Sequence, residues 1–268
     1  MLKNITIGQY IPGQSVIHRL DPRGKILLTI AYIVFVFSVK GFVGYALVIG
    51  FILGVTALSR ISFRYMARSL KSLVFIILMT AVLNLFFTRQ GKVILPLGFL
   101  SVTDEGLTTA LYFAFRIVFL VLGTSLLTLT TSPIALTDGL ERLLSPLRIV
   151  RFPAHELAMM MTIALRFIPT LLEETDKIMK AQSSRGADFE SGNLFQRSKA
   201  MVPLLVPLFI SAFRRAGELA MAMEARCYRG GEGRTRLRTL HYTSLDAYAA
   251  LLVAVMGFFV FLERAWVI

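Results

Sequence analysis

An apolar run of 33 residues, from Ile26 to Leu58, restricts the fold of this chain more than any other feature, and Lys40 is its only charge. As one helix it would be about 50 Å long, whereas roughly 20 helical residues cross a bilayer core of about 30 Å. The segment KGFVG at 40–44 offers a place for a turn. We therefore predict two membrane spans here, joined at this segment.

Three further apolar segments predict membrane spans, at Leu73–Phe87, Gly106–Thr130 and Leu245–Leu262. Hydrophobic residues make up 56% of the 268 residues, and the mean hydropathy is +0.69. Soluble domains rarely exceed about half apolar content. We therefore expect an all-α polytopic membrane protein with about five transmembrane helices. The first apolar run lacks a small-residue cleavage site after it, so we expect it to be retained.

The distribution of charge predicts how the spans are oriented. A net charge of +13 would by itself suit nucleic acid or a membrane surface, and the spans favour the membrane. Basic residues exceed acidic ones in the head 1–25, in the loop 59–72 and, by 16 to 11, in the segment 132–243. Cytoplasmic loops carry such an excess. We expect these three regions on the cytoplasmic side and the C-terminus outside.

The segment LDPRGK at 20–25 marks the start of the first span. Asp21 can cap a helix, and Pro22 suits a first helical turn, where a missing N–H costs nothing. Arg23 and Lys25 are then expected to reach the lipid headgroups.

The segment 132–243 is too long for a connector and too apolar for a disordered linker. Its pattern predicts a long helix over 154–183 and a second helix from about Leu194, which Pro203 and Pro207 should bend or break. We therefore divide the chain into N-terminal transmembrane helices (1–131), a cytoplasmic coupling-helix region (132–243) and a C-terminal transmembrane helix (244–268).

Small and flexible side chains mark the faces of these two long helices. Alanines at four-residue intervals let helix backbones approach closely, although alanine is also simply a good helix former. Methionines fit several partner surfaces, or pack as ordinary helix residues. We predict contact with a membrane partner or a helix crossing at Met159, Met160, Met161, Ala212, Ala216, Ala220, Met221 and Met223. Arg214 and Arg215 flank Glu218 and could pair with it along the helix.

Both long helices end on an arginine between small residues, Ser184-Arg185-Gly186 and Ala225-Arg226-Cys227. A cation in the last turn is favoured by the helix dipole, and glycine is an ordinary stop signal. Two such ends in one segment suggest that the two helices present equivalent arginine-bearing tips to a partner. Their guanidinium groups could fork onto carboxylates or carbonyls of a partner.

Three stretches carry a family resemblance: HRLDPRGK, ALRFIPTLLEETDKIMKAQSSRGADF and VPLLVPLFISAFRRAGELAMAMEARCYRGG. They resemble the T component of energy-coupling factor (ECF) transporters, from about His18 into the last span. The paired small-Arg-small motifs are the most specific part of this resemblance. Many relatives have Ala-Arg-Gly at both motifs, so Ser184 and Cys227 depart from the pattern. Both are small, but Cys227 weakens any claim that the second motif needs the backbone freedom of glycine.

The resemblance implies a bacterial, multi-pass scaffold in the cell membrane that is not itself an enzyme. Ser184, Arg185, Gly186, Ala225, Arg226 and Cys227 would dock two ABC-type ATPases, which bind the ATP and magnesium, so this chain needs no cofactor. The coupling helices would also hold a substrate-binding S component. ATP binding would then drive re-orientation of the S component and uptake of a vitamin or metal ion.

Other chemistry finds little support in the sequence. There is no phosphate-binding G-x-x-x-x-G-K-[ST] loop, and HELAM at 155–159 lacks the second histidine of a zinc protease motif. The run RGGEGRTRLR at 229–238 suits anionic lipid headgroups better than nucleic acid. Arg116, inside the fourth span, is a candidate functional residue because charge is costly there. The alternative function is a self-sufficient permease or secondary transporter with Arg116 lining its pathway.

Overall fold

The computed structural model describes residues 10–88, 90–97, 100–187, 189, 193–231 and 239–266. Within these residues the chain is predominantly helical, which confirms the predicted all-α class. Its helices are α1 (Pro22–Ser38), α2 (Phe42–Ser59), α3 (Phe63–Lys71), α4 (Val74–Phe87), α5 (Asp104–Thr130), α6 (Pro133–Leu144), α7 (Ala154–Ser184), α8 (Leu194–Ala225) and α9 (Ser244–Trp266).

The 33-residue apolar run folds as predicted. Helix α1 ends at Ser38 and α2 begins at Phe42, so the break lies at the KGFVG segment. Among the described residues, five helices are long and apolar enough to cross a membrane: α2, α5, α7, α8 and α9. The number matches the prediction, but the membership differs, because α7 and α8 pass this test of length and composition while α1, with 17 residues, and α4, with 14, fall short of it. Helix α4 passes only together with α3, as a bent pair.

Several local features differ from the sequence prediction. The loop 59–72 contains the helix α3, and α3 and α4 meet at an angle of 60°. A two-stranded antiparallel hairpin, β1 (Val93–Leu97) and β2 (Leu100–Thr103), connects α4 to α5. Helix α8 continues through Pro203 and Pro207, so these prolines do not break it, and the alternative of a bend stays a prediction. Residues 232–238 of the basic run and Gly192 lie outside the described residues.

The chain divides into two compact units, and the larger one comprises 9–140 with 240–268. Its core forms where α1, α2, α5 and α9 pack together. Apolar side chains fill it, namely Tyr32, Val36, Tyr45, Val48, Ile52, Phe119, Leu122, Leu126, Met256 and Val260. Because the outer faces of the same helices remain apolar and exposed, this unit has the surface that lipid would cover.

The first turn of α1 is capped as predicted. The Asp21 carboxylate accepts a hydrogen bond from the backbone N–H of Arg23 at 2.8 Å, and Pro22 is the first helical residue. Burial alone would raise the pKa of Asp21, but the hydrogen bonds and charge of Arg23 outweigh it and the pKa lies below its usual value. Arg23 also donates to the carbonyl of Leu240 and stacks on the Tyr242 ring, 4.1 Å from its centroid.

Lys25 does not reach the headgroups, contrary to the prediction. It is 7% exposed, and its Nζ donates to the Thr130 carbonyl and the Thr131 hydroxyl, both at 3.1 Å. These acceptors lie where α5 ends, and the free carbonyls of a helix end need donors. Lys25 therefore joins the start of α1 to the end of α5 inside the unit.

Close packing in this unit leads to a first prediction, at Gly123 of α5. A Cβ added there would collide with the ring of Tyr32, whose hydroxyl is held by the carbonyl of Phe119 at 2.8 Å. We expect Gly123→Ala to lower the free energy of unfolding by about 1–3 kcal/mol, as overpacking does. Thermal unfolding in detergent measures this change.

The matched control for Gly123→Ala is Gly54→Ala in α2. A Cβ at Gly54 meets no atom within 4 Å beyond its chain neighbours and the nearby backbone of its own helix, and alanine favours helix over glycine by up to about 1 kcal/mol. We expect this variant to be as stable as the wild type or more so. Equal effects of the two substitutions would contradict the assigned contact with Tyr32.

The smaller unit spans Glu141–Thr239 in its continuous part. It contains the end of α6, a 3-10 turn (Ser145–Val150) and the two long helices α7 and α8, which pack against each other. Helix α7 begins and ends within a residue of the predicted range, and α8 begins at the predicted Leu194. Whether this unit is cytoplasmic stays a prediction.

Candidate functional site

The first candidate tip is the end of α7. The backbone N–H of Ala187 donates to the Gln182 carbonyl, and that of Gly186 donates to the Ser183 carbonyl, both at 3.0 Å. Gly186 has a left-handed backbone, with φ +89°. This pair of bonds is the Schellman motif, which satisfies the last carbonyls of a helix. Arg185 lies directly before the left-handed residue.

The second candidate tip, at the end of α8, has the same bonds. Tyr228 N–H donates to the Met223 carbonyl at 3.0 Å, and Cys227 N–H donates to the Glu224 carbonyl at 2.8 Å. Cys227 takes the left-handed backbone here, with φ +54°. Arg226 therefore occupies the position that Arg185 has in α7.

The two small-Arg-small motifs are thus one backbone structure used twice. All six motif residues, Ser184 to Gly186 and Ala225 to Cys227, are exposed. Left-handed geometry explains why the third position holds glycine in one motif. It also corrects the inference drawn from Cys227, because that position needs the left-handed backbone even where glycine is missing. Each motif places its arginine at the end of a rigid helix and leaves it accessible.

The left-handed Cys227 gives a second prediction. A side chain costs roughly 1–2 kcal/mol in this conformation, whereas glycine adopts it freely. We expect Cys227→Gly to stabilise the last turn of α8 by about 1 kcal/mol and to slow amide exchange there about fivefold. Cys227→Ala removes the thiol but keeps the strain, so its exchange should match the wild type. Equal exchange in both variants would show that the backbone is not strained.

Helices α7 and α8 pack against each other, and a cavity lies between them. On the α8 side, Ala212, Ala216 and Ala220 line this cavity. The remaining lining comes from apolar side chains and one arginine: Ile163, Phe167, Leu171, Leu219, Met223 and Arg215. Small side chains bring the α8 backbone close to α7 at this point.

A polar contact missed at the sequence level joins the same two helices. Glu174 of α7 accepts hydrogen bonds from the Ser211 hydroxyl at 2.5 Å and from Arg215 at 3.1 Å. Arg215 thus pairs across the helices, where we expected Glu218 on its own helix. No local pattern marks Glu174, because both of its partners lie about 40 residues away. The contact sets the register in which α7 and α8 pack.

The candidate methionines fall into two groups. Met160, Met161 and Met221 are exposed, by 57%, 55% and 63%. Met159 and Met223 are half-buried, and Met223 lines the cavity between α7 and α8. The exposed group therefore leaves flexible apolar surface on both long helices, and its role stays a prediction.

Arg116 of α5 is engaged inside the larger unit. Its guanidinium donates to the Val39 carbonyl at 3.1 Å, directly after the end of α1, and lies 5.4 Å from the centre of the Phe113 ring. A cation beside free carbonyls at a helix end is a stabilising arrangement. This contact gives Arg116 a structural role and provides no support for a transport pathway.

The histidine of HELAM also has a structural partner. His155 Nδ1 lies 3.0 Å from a carboxylate oxygen of Glu141. Among the described residues, no group of three or more His, Cys, Asp or Glu side chains could hold a metal ion.

These features define a class of protein: a helical, multi-pass membrane protein with two exposed arginine-tipped helices. Residues 13–237 match the family model CbiQ, described as a cobalt transport protein. The chain therefore belongs to the CbiQ family.

Three relatives carry one name, energy-coupling factor transporter transmembrane protein EcfT. The chain is 62% identical over 256 residues to that of Thermosediminibacter oceani, covering 96% of each chain. It is 58% identical over 267 residues to that of Clostridium kluyveri, covering 99% of each. Over 265 residues it is 49% identical to that of Bacillus subtilis, covering 99% of this chain and all of the other.

Proposed function

We propose that this chain is the transmembrane scaffold subunit of an ECF-type importer in a bacterial cell membrane. Two ABC-type ATPases dock at Arg185 and Arg226, and an S component that carries a vitamin or metal ion contacts the long helices. The names of the relatives and the family support this role. The observation that carries it is the repeated helix end, with an exposed arginine in the same backbone setting on α7 and α8.

In this scheme the chain does no chemistry of its own. The partner ATPases bind ATP and magnesium, and their closure moves the two tips. Binding at a tip can drive this motion only if its free energy differs between the open and closed ATPases. Continuous helices suit this task, since α7 and α8 have 31 and 32 residues and are joined by the Glu174 contact. The N-terminus and both long helices lie on the cytoplasmic side.

Purification of the tagged protein from its own membranes tests this proposal. We expect two ATPase chains and at least one small membrane protein to co-elute, in fixed proportion. A protein that elutes alone and moves a substrate alone in liposomes would be a permease, and the proposal would be wrong.

A further inference from the structure

The short helix α3 has no part in the proposed docking, yet its positive charges all lie on one face of the helix. Arg64, Arg68 and Lys71 are all exposed, and the segment 59–72 contains no acid. At 100° per residue the three cations fall within an arc of roughly 60°. Met66 lies on the opposite face and is fully buried, with its sulfur 3.2 Å from the Thr56 hydroxyl. One face of α3 is thus fixed to the protein and the other is cationic.

The position of α3 limits what can meet this cationic face. Only residues 60–62 separate it from α2, and only residues 72–73 separate it from α4. Three extended residues reach about 11 Å, so α3 stays close to the ends of two strongly apolar helices. Three cations inside the hydrocarbon would be costly, so α3 does not lie deep in the bilayer. The headgroup region satisfies both conditions.

Aromatic side chains beside the cations agree with this depth. Phe63 and Tyr65 are 55% and 47% exposed, and the guanidinium carbon of Arg68 lies 5.9 Å from the centre of the Tyr65 ring. Exposed aromatic rings flanking a basic face are typical of helices at the membrane interface. A purely water-facing helix gains nothing from such rings.

We propose that α3 is a binding site for anionic phospholipid headgroups, with Arg64, Arg68 and Lys71 as the phosphate ligands. This site holds the α2–α4 connection at the level of the headgroups. The site does not depend on ATPase docking, because its residues lie in the larger unit, whereas Arg185 and Arg226 lie in the smaller one.

Native mass spectrometry of the purified full chain tests the site. The protein is given equal amounts of phosphatidylglycerol and phosphatidylcholine with identical acyl chains, and the ratio of bound lipids is measured. Each cation near an anionic surface strengthens binding about fivefold. We therefore expect R64Q/R68Q/K71Q to reduce the preference for phosphatidylglycerol about tenfold or more. The conservative R64K/R68K variant, which keeps the charges, should stay within about twofold of the wild type.

The matched control removes the same charge elsewhere, as K177Q/K180Q/R214Q on exposed positions of α7 and α8. It should keep the wild-type preference. The proposal is overturned if the α3 variant keeps the preference, if the control loses as much, or if the wild type does not distinguish the two lipids. Loss of co-eluting ATPases from the α3 variant with unchanged lipid preference would assign the face to a protein partner instead.

Discussion

Reversing both tip charges, Arg185→Glu with Arg226→Glu, abolishes ATPase binding and transport while the protein remains folded. In the wild type, each guanidinium would donate paired hydrogen bonds to carboxylates or carbonyls of the partner. In the variant, a carboxylate faces the same oxygen atoms and is repelled by them. Removing one partner of such an interfacial pair costs about 2–5 kcal/mol, so two losses exceed about 4 kcal/mol. We expect affinity for the ATPases to fall at least about a thousandfold.

The fold should survive because backbone atoms hold each tip together. The bonds from Ala187 to Gln182 and from Tyr228 to Met223 do not use the arginine side chains. An acid at a helix C-terminus opposes the dipole by only about 0.3–1 kcal/mol. Thermal unfolding of the double variant should therefore stay close to the wild type.

The control for the double variant is Lys177→Glu with Arg214→Glu, which reverses two exposed cations on the same helices away from their ends. We expect it to keep most ATPase binding, measured by co-purification and by uptake in reconstituted vesicles. Wild-type uptake by the Arg185 and Arg226 double variant would refute tip docking. Equal losses in both double variants would point to general electrostatics in place of docked tips.

Local patterns allowed the two tips to be found in the sequence. Arg185 and Arg226 stand where a helical pattern stops, and the Schellman bonds connect residues no more than five apart. The division of the first apolar run at KGFVG was equally local, since length alone required it. Such features follow from the nearest residues and the thickness of a bilayer.

Contacts between distant residues could not be predicted in this way. The hydrogen bonds from Ser211 to Glu174 and from Arg116 to the Val39 carbonyl form only when the helices pack together. The sequence predicts Lys25 at the headgroups, because long basic side chains usually extend to water. Its burial depends on carbonyl and hydroxyl acceptors about 105 residues away, which no pattern around Lys25 indicates.

Asp246 is the clearest of these long-range contacts. Its carboxylate accepts a hydrogen bond at 2.8 Å from the backbone N–H of Asp21, 225 residues earlier. The backbone N–H and the hydroxyl of Thr243 donate to it at 2.8 and 2.9 Å, so it also caps the start of α9. Its negative charge acts on buried Lys25 and on Arg23. One side chain thus joins the first turns of α1 and α9.

Asp246→Ala should therefore be the most destabilising of the substitutions considered. It leaves the buried N–H of Asp21 without an acceptor. It also removes a negative charge that partly compensates the positive charge of buried Lys25. Breaking a buried, hydrogen-bonded charge cluster costs about 3–5 kcal/mol. We expect Tm in detergent to fall by roughly 10 °C. Asp246→Asn keeps one acceptor oxygen and should lose about half as much.

The matched control is Glu156→Ala. Glu156 occupies the third position of α7, as Asp246 does in α9, but it is exposed. Each acid interacts with the dipole of its own helix, so the difference between the two variants isolates the hydrogen bonds that Asp246 accepts from Asp21 and Thr243 and its charge beside Lys25 and Arg23. We expect Glu156→Ala to lower stability by no more than about 1 kcal/mol. Similar falls in Tm would mean that Asp246 contributes only through the dipole of α9, and that its hydrogen bonds to Asp21 and Thr243 add no stability.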